Sequence, residues 1–204
     1  MIAIINYGSG NVQAIANIYH RLNIPFIITD KAEELKTASK LVLPGVGAFD
    51  EVMAQLNKSG LRETLDDLVL VKKIPVIGVC VGMQILAKSS EEGEIEGLGW
   101  IDGIVKMIDV KNLQHKPHLP HMGWNVATPL KPSPLLENLD INKGFYFLHT
   151  YCFHCNDSND ALMATEYGEE IISAVNHENI FGTQFHPEKS HTNGIQIFQN
   201  FANL

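Results

Sequence analysis

Cys80 stands between two glycines in the run Gly78-Val79-Cys80-Val81-Gly82. Glycine two residues either side of a nucleophile is the pattern of a sharp strand-to-helix elbow, here with cysteine in the serine position. A tight turn of that kind leaves no room for Cβ atoms beside the nucleophile, and it lifts the sulfur clear of the backbone. A free thiol titrates near pH ~8.5, and an adjacent imidazolium lowers that value by units. The candidate imidazole is His186, followed by Pro187 and Glu188. Residues two apart in extended chain share a face, and Pro187 restricts the backbone between them. Glu188 can then orient the ring while His186 takes the proton from Cys80. Each piece also has a plain structural reading. Free cysteine is among the most buried residue types, and His-Pro-Glu by itself is an ordinary surface turn. The residues alone leave both readings open.

Ile74 to Val79 is a short apolar run of the kind that forms a buried parallel strand, and Met83 to Ala87 reads as the start of a helix. A helix N-terminus behind Cys80 would favour thiolate, and the carboxyl edge of an open α/β sheet is where ligands bind. Upstream, Ile2 to Ile5, Phe26 to Thr29 and Leu41 to Leu43 read as strands. They alternate with helical patterns up to about Leu22, from Lys31 to Lys36, from about Ala48 to Leu56 and from Leu61 to Val71. That alternation implies parallel crossovers. Leu41 to Leu43 ends in Pro44-Gly45-Val46-Gly47, a turn whose exposed N–H groups form a nest able to hold an oxyanion; taken alone, an ordinary strand-to-helix turn is the better account. The first turn, Tyr7-Gly8-Ser9-Gly10-Asn11, lacks the third glycine of a dinucleotide loop, since Gln13 occupies that place, and has no P-loop lysine. A tight turn capped by Ser9 or Asn11 is expected there.

Beyond Ala87 the pattern changes. Lys88 to Gly93 reads as a polar connection and Lys116 to Asn125 as a loop, while Gly103 to Val110, Gly144 to Phe153, Ala161 to Tyr167 and Ile171 to Asn176 look extended. These are expected to be mostly antiparallel additions at one edge of the sheet. A last strand, Ile180 to Phe185, delivers His186, and a closing helix from about Asn193 to Ala202 turns Ile195, Ile197, Phe198 and Phe201 inward. The expected architecture is α/β: a central mixed, mostly parallel sheet with helices on both faces. At 204 residues the chain is read as one domain, 1–204. A net charge of −8 argues against a nucleic-acid surface. No apolar run approaches a membrane span, and the first residues enter a strand with no basic leader. Three cysteines argue against a disulfide framework and fit a reducing cytoplasm.

Taken together, Pro44-Gly45-Val46-Gly47, Gly78-Val79-Cys80-Val81-Gly82-Met83-Gln84 and Phe185-His186-Pro187-Glu188-Lys189-Ser190 resemble the class I, or triad, glutamine amidotransferases, in that family's order and over essentially the whole chain. Pro120-His121-Met122-Gly123-Trp124-Asn125 and Phe145-Tyr146-Phe147-Leu148-His149-Thr150-Tyr151 are similar to the members that serve a (β/α)8-barrel cyclase in histidine biosynthesis. The resemblance implies hydrolysis of L-glutamine through a thioester on Cys80, with His186 and Glu188 completing the triad and no cofactor or metal. It implies an oxyanion hole at Gly47 and the Val81 N–H, and glutamine held by Gln84, Glu92 and the backbone near Thr150 and Tyr151. Glu92 lies twelve residues after the nucleophile, where the family has its substrate carboxylate; Glu91 is its obvious confusion. Ammonia would pass to the barrel subunit, which the segment His121, Met122, Gly123, Trp124, Asn125 would face. Val81 and Thr150 stand where leucine and serine are common. The tail from Lys189 to Gly194 and the segment around Tyr167-Gly168 look closer to second-copy members that supply ammonia for amidino sugars of surface polysaccharides. A γ-glutamyl hydrolase acting without a partner, or a binding subunit without activity, are further alternatives.

Two signals are set aside. His115, His118 and His121 are spaced by three, but Pro117 and Pro120 prevent a helix that would align them, and no carboxylate or cysteine completes a metal set. Cys152-Phe153-His154-Cys155 is a lone CxxC in an alternating strand, best read as packed thiols.

Overall fold

The computed structural model describes residues 1–113, 116 and 118–204, so that His115 and Pro117 of the histidine cluster lie outside the described residues. The first half follows the expected alternation: β1 (Ile2–Ile5), α1 (Val12–Arg21), β2 (Phe26–Thr29), α2 (Ala32–Leu35), β3 (Lys40–Gly45), α3 (Phe49–Ser59), α4 (Arg62–Asp66) and β4 (Val76–Cys80). All residues of β1 and β4 are buried, as strands covered by helices on both faces must be. In α1, Ile15, Ala16, Ile18 and Tyr19 form the buried face, the spacing of a helix laid on a sheet. A π-helical turn, Asp67–Val71, carries α4 toward β4.

Past Cys80 come α5 (Val81–Gln84), β5 (Ser89–Ser90), β6 (Gly103–Met107), β7 (His121–Asn125), β8 (Thr128–Pro129), β9 (Phe145–His149), β10 (Tyr151–Cys155), β11 (Ala161–Glu166), β12 (Glu170–His177), β13 (Ile180–Thr183) and α6 (His191–Asn203). The main sheet runs β2-β1-β3-β4-β13-β12-β10-β6-β5, with β11 on β12 and β8 on β11. Pairing is parallel from β2 to β13 and antiparallel from β13 through β6, so β12, β10 and β6 do fall on one edge; the extended run expected from Gly144 to Phe153 is instead two strands, of which β9 leaves the main sheet. In α6, Ile197, Phe198 and Phe201 are fully buried, while Ile195 is only partly so. Among the described residues, no helix is long and apolar enough to cross a membrane.

Three local expectations are corrected. The helix after Cys80 is one turn, because Leu98, Ile101 and Gly99 donate to the carbonyls of Ile85, Leu86 and Ala87 that a longer helix would have used. The macrodipole invoked behind Cys80 shrinks with it. The polar stretch from Lys88 contains a short strand, β5, parallel to β6. Within the loop expected from Lys116 to Asn125, the last five residues are β7, which pairs with β9 in a separate two-stranded sheet. Its period of two was hidden because the residues turned inward include polar His121 and Asn125, while apolar Met122 and Trp124 face out.

Candidate active site

The register of the sheet brings the chemistry together. β4 lies between β3 and β13; Gly45 pairs with Cys80 on one side, and Thr183 with Val79 on the other. The chain leaving β3 as Val46-Gly47, the elbow at Cys80 and the chain leaving β13 toward His186 therefore emerge side by side at one carboxyl edge.

Cys80 has φ 56° and ψ −114°, a left-handed backbone for a residue with a Cβ. Strain of this kind costs on the order of 1–3 kcal/mol and gathers at functional sites. Close backbone approach explains the flanking glycines: a Cβ at Gly78 would stand 2.4 Å from Gly82 O, and one at Gly82 would stand 2.0 Å from Leu43 O. The raised sulfur lies 3.9 Å from Leu148 O and 3.9 Å from Gln184 Nε2, and it lines the same cavity as His186, near enough to act on the charge of that imidazole. His186 Nδ1 is 2.8 Å from Glu188 Oε1, which leaves Nε2 for the sulfur. The two side chains are 5% and 1% exposed. Burial pushes the imidazole toward neutrality, yet the hydrogen bonds and negative charge of Cys80 and Glu188 outweigh it and raise His186 to about 10.

Against the expectation that His186 and Glu188 share a face of extended chain, the two are brought together by a turn. Pro187–Lys189 is a 3-10 turn, closed by Lys189 N–H donating to His186 O. Ser190 fixes that turn: its hydroxyl donates to His186 O at 2.6 Å and accepts from Tyr146 N at 2.9 Å.

Gly47, at φ 101°, ends the loop beyond β3. Tyr7 hydroxyl donates to Pro44 O, and Ser9 Oγ both accepts from Val46 N and donates to Val46 O, each at 3.0 Å. Neither Ser9 nor Asn11 caps α1, which has no side-chain cap; the first turn instead clips this loop. Among the described residues, the N–H groups of Gly47 and Val81 have no protein acceptor.

Gly47, Val81, Cys80, His186, Gln84, Glu92, Thr150 and Tyr151 all line one cavity of about 310 Å³. Glu188 lies behind its wall. Glu92 Oε2 accepts from Phe49 N at 2.8 Å, capping α3 from a distance. Asp50 answers by accepting from Glu94 N and Ile95 N at 2.9 and 3.0 Å. Glu91 points elsewhere, to Met107 N at 3.1 Å. Gln84 is committed through both N–H groups, to Tyr151 O and to Gln184 Oε1 at 3.0 Å each.

Sequence reasoning passed over several residues of this cavity. His149, assigned no role, is one wall. Burial pushes it down to about 3, further lowered by His121 and His186 and only partly opposed by its hydrogen bond to Tyr151 O. As a neutral ring it donates from Nδ1 to Tyr151 O at 2.9 Å, so its Nε2 accepts from His121 Nδ1 at 2.9 Å. Of the segment expected to meet a partner, His121 is thus buried within the protein, and Asn125 bonds inward to His121 and to Glu166 O. Met122 and Trp124 form the outward face, with Gly123 between them. Tyr7, Ser9, Ser190 and Gln184 were also missed; each is a common polar residue whose role depends on a partner over 30 positions away.

The family description "Glutamine amidotransferase class-I" matches residues 3–204. The chain is 51% identical over 204 residues to the imidazole glycerol phosphate synthase subunit HisH of Leptospira interrogans, covering all of both chains. It is 48% identical over 206 residues to the subunit of the same name from Bdellovibrio bacteriovorus, again covering all of both. A crystal structure of a glutamine amidotransferase from Thermotoga maritima superposes with a TM-score of 0.63 at 19% identity, over 98% of this chain and 82% of that one, which bears on the fold alone. The chain belongs to the class-I glutamine amidotransferases, in the group of HisH subunits.

Proposed function

We propose that this chain, acting as one domain, hydrolyses the side-chain amide of L-glutamine and delivers the ammonia to a (β/α)8-barrel cyclase subunit in histidine biosynthesis, in the cytoplasm. The supporting observation is the convergence of Cys80, His186 and Glu188 beside a cavity that also holds the free N–H groups of Gly47 and Val81. The Cys80 thiolate attacks the amide carbon, and the carbonyl oxygen becomes an oxyanion received by those two N–H groups. As the C–N bond breaks, His186 gives its proton to the departing nitrogen, leaving a thioester on Cys80 and free ammonia. His186 then takes a proton from water, whose oxygen attacks the thioester, and glutamate leaves as the sulfur is released. Glu188 holds the imidazole in orientation and stabilises its charged form. Glu92 receives the substrate's ammonium group. Gln84, with its nitrogen committed, offers only Oε1 to an N–H of the substrate. The backbone at Thr150 and Tyr151 completes the cradle.

Ammonia released into neutral water becomes mostly ammonium and loses its nucleophilicity, so an acceptor must be docked close by. The outward face of β7, with Met122 65% and Trp124 49% exposed, offers an apolar surface for the barrel. The test is Cys80→Ala in the complex. Glutamine-dependent product is expected to vanish while product from added ammonium salt persists; loss of both would make Cys80 a structural residue. Glutamine turnover by the isolated chain is expected to be low and to rise when the barrel is added, and equal rates would defeat the coupling. The barrel that co-purifies with the chain, and the acceptor it binds, decides between histidine biosynthesis and the surface-polysaccharide alternative.

A further inference from the structure

Two buried amides meet behind the nucleophile. Gln184 is fully buried just past the end of β13, with its own N–H fixed to Ser173 O at 2.9 Å. Which end of its side chain faces Cys80 is forced by bonding. Tyr151 O can only accept, so the Gln84 atom 3.0 Å from it is nitrogen; that nitrogen's other proton goes to Gln184, 3.0 Å away. The Gln184 atom facing Gln84 is therefore oxygen, and its NH2 group is turned to Cys80 Sγ, 3.9 Å away.

The sulfur is consequently framed by unlike neighbours. Leu148 O, also at 3.9 Å, can accept from a thiol S–H but repels a negative sulfur. The Gln184 N–H is a poor partner for a neutral thiol and a good one for a thiolate, because hydrogen bonds to ionised acceptors are about twice as strong as neutral ones. Gln184 is itself fully buried, so its N–H is held toward the sulfur and that difference acts on the nucleophile directly. We propose that Gln184 is a positioning residue whose side-chain N–H holds Cys80 Sγ in its negative, attacking form, and that Gln84 locks the amide so that this N–H, and not the carbonyl oxygen, faces the sulfur. The proposal rests on the reading of Cys80 as nucleophile.

The experiment follows alkylation of the three cysteines of the full chain by iodoacetamide across pH, read peptide by peptide by mass spectrometry. Cys152 and Cys155 are internal references, since burial pushes both up to about 12. Gln184→Met, similar in length but without the donor, is expected to move the Cys80 alkylation midpoint up by about one pH unit, which is about tenfold less thiolate at any pH well below the parent midpoint. kcat for glutamine should fall about as much with KM little changed, as for an interaction with the nucleophile alone. Gln184→Glu should raise the midpoint further, because a carboxylate then faces the sulfur. In the unaltered chain, the Gln184 side-chain NH2 resonances should shift through the same midpoint and again on alkylation of Cys80. An unmoved midpoint in folded Gln184→Met overturns the proposal; should that variant fail to fold, NH2 resonances that ignore the Cys80 titration overturn it instead. If Cys80 reacts no faster than Cys152 and Cys155, the nucleophile reading falls and takes the proposal with it; a reactive Cys80 with an unmoved midpoint sinks the role of Gln184 alone.

Discussion

Gly82→Ala tests whether the elbow is built on backbone contact. Gly82 has no positive φ, so alanine is conformationally acceptable there and the issue is space alone. The new Cβ would lie 2.0 Å from Leu43 O, 3.0 Å from Leu43 C and 3.1 Å from Pro44 C. An ordinary carbon–oxygen approach is about 3.3 Å, so β3 and α5 must part by more than an ångström. Both walls are backbone, and neither can swing aside as a side chain would. Overpacking costs typically ~1–3 kcal/mol, and a clash between two main chains belongs at the upper end. At about 2–4 °C per kcal/mol for a chain of this size, the melting temperature should fall by about 6–12 °C. Activity should fall further than stability explains. The displaced segment leads straight into Pro44-Gly45-Val46-Gly47, and loss of one oxyanion donor costs about 10²–10³ in kcat. Gly60→Ala is the control. Gly60 ends α3 at φ 73° with nothing within 4 Å of a new Cβ, so it should lose only about 1 kcal/mol of conformational energy and keep its glutamine turnover. Thermal melts and glutamine-dependent product formation with the barrel present measure both. Gly82→Ala melting within about 2 °C of the parent, or keeping most of its turnover, would refute the crowding argument.

Glu188→Gln removes the charge behind His186, and kcat should drop by about 10²–10⁴, the range for a misoriented acid–base group. The pH profile supplies the sign: His186 is raised to about 10, so the proton needed by departing ammonia is present below that pH and lost above it. The alkaline limb of kcat/KM should therefore fall near pH 10 in the parent and move downward in Glu188→Gln; a limb that stays in place would dissociate Glu188 from the imidazole. Glu92→Gln keeps an oxygen for Phe49 N but loses its charge toward substrate, so KM for glutamine should rise about tenfold or more with a small change in melting temperature, while Glu91→Gln should leave KM alone. Equal effects of the two would mean that the cavity wall has been misassigned.

The first half of the fold was legible because its signals are local. Four apolar runs alternating with helical spacing can be arranged in few ways once crossovers are right-handed and connections short. The one-turn helix α5 was not legible, because its length is set by carbonyls claimed from Leu98 to Ile101, a competition no window around Cys80 contains. β7 was missed for a related reason. A strand is recognised by apolar residues facing the core, and β7 turns His121 and Asn125 inward, where His149 and Glu166 O satisfy them. The candidate catalytic residues that the structure brings together could be read from motif spacing, while the residues that brace them could not. Ser9, Ser190 and Gln184 are ordinary polar residues until the sheet brings a distant backbone or sulfur within hydrogen-bonding range.

Those braces share a logic that follows from the order of the strands. β4 sits between its two working neighbours, and the site needs three chain segments, from residues near 46, 80 and 186, aligned to a fraction of an ångström. Strand pairing sets their height, through Gly45 opposite Cys80 and Thr183 opposite Val79, but pairing ends where the chemistry begins. Beyond the last rung each segment would be free to splay, and each is instead tied to another element by a side chain. Ser9, from the turn after β1, holds both polar groups of Val46. Ser190 joins the His186 turn to β9. Gln84 and Gln184 bind the elbow to the end of β13 from beneath. Each tie spends buried hydrogen bonds that a core of hydrocarbon would not need, and leaving any partner unmet costs about 1–3 kcal/mol. Their concentration at the carboxyl edge marks where register alone is too coarse for the chemistry.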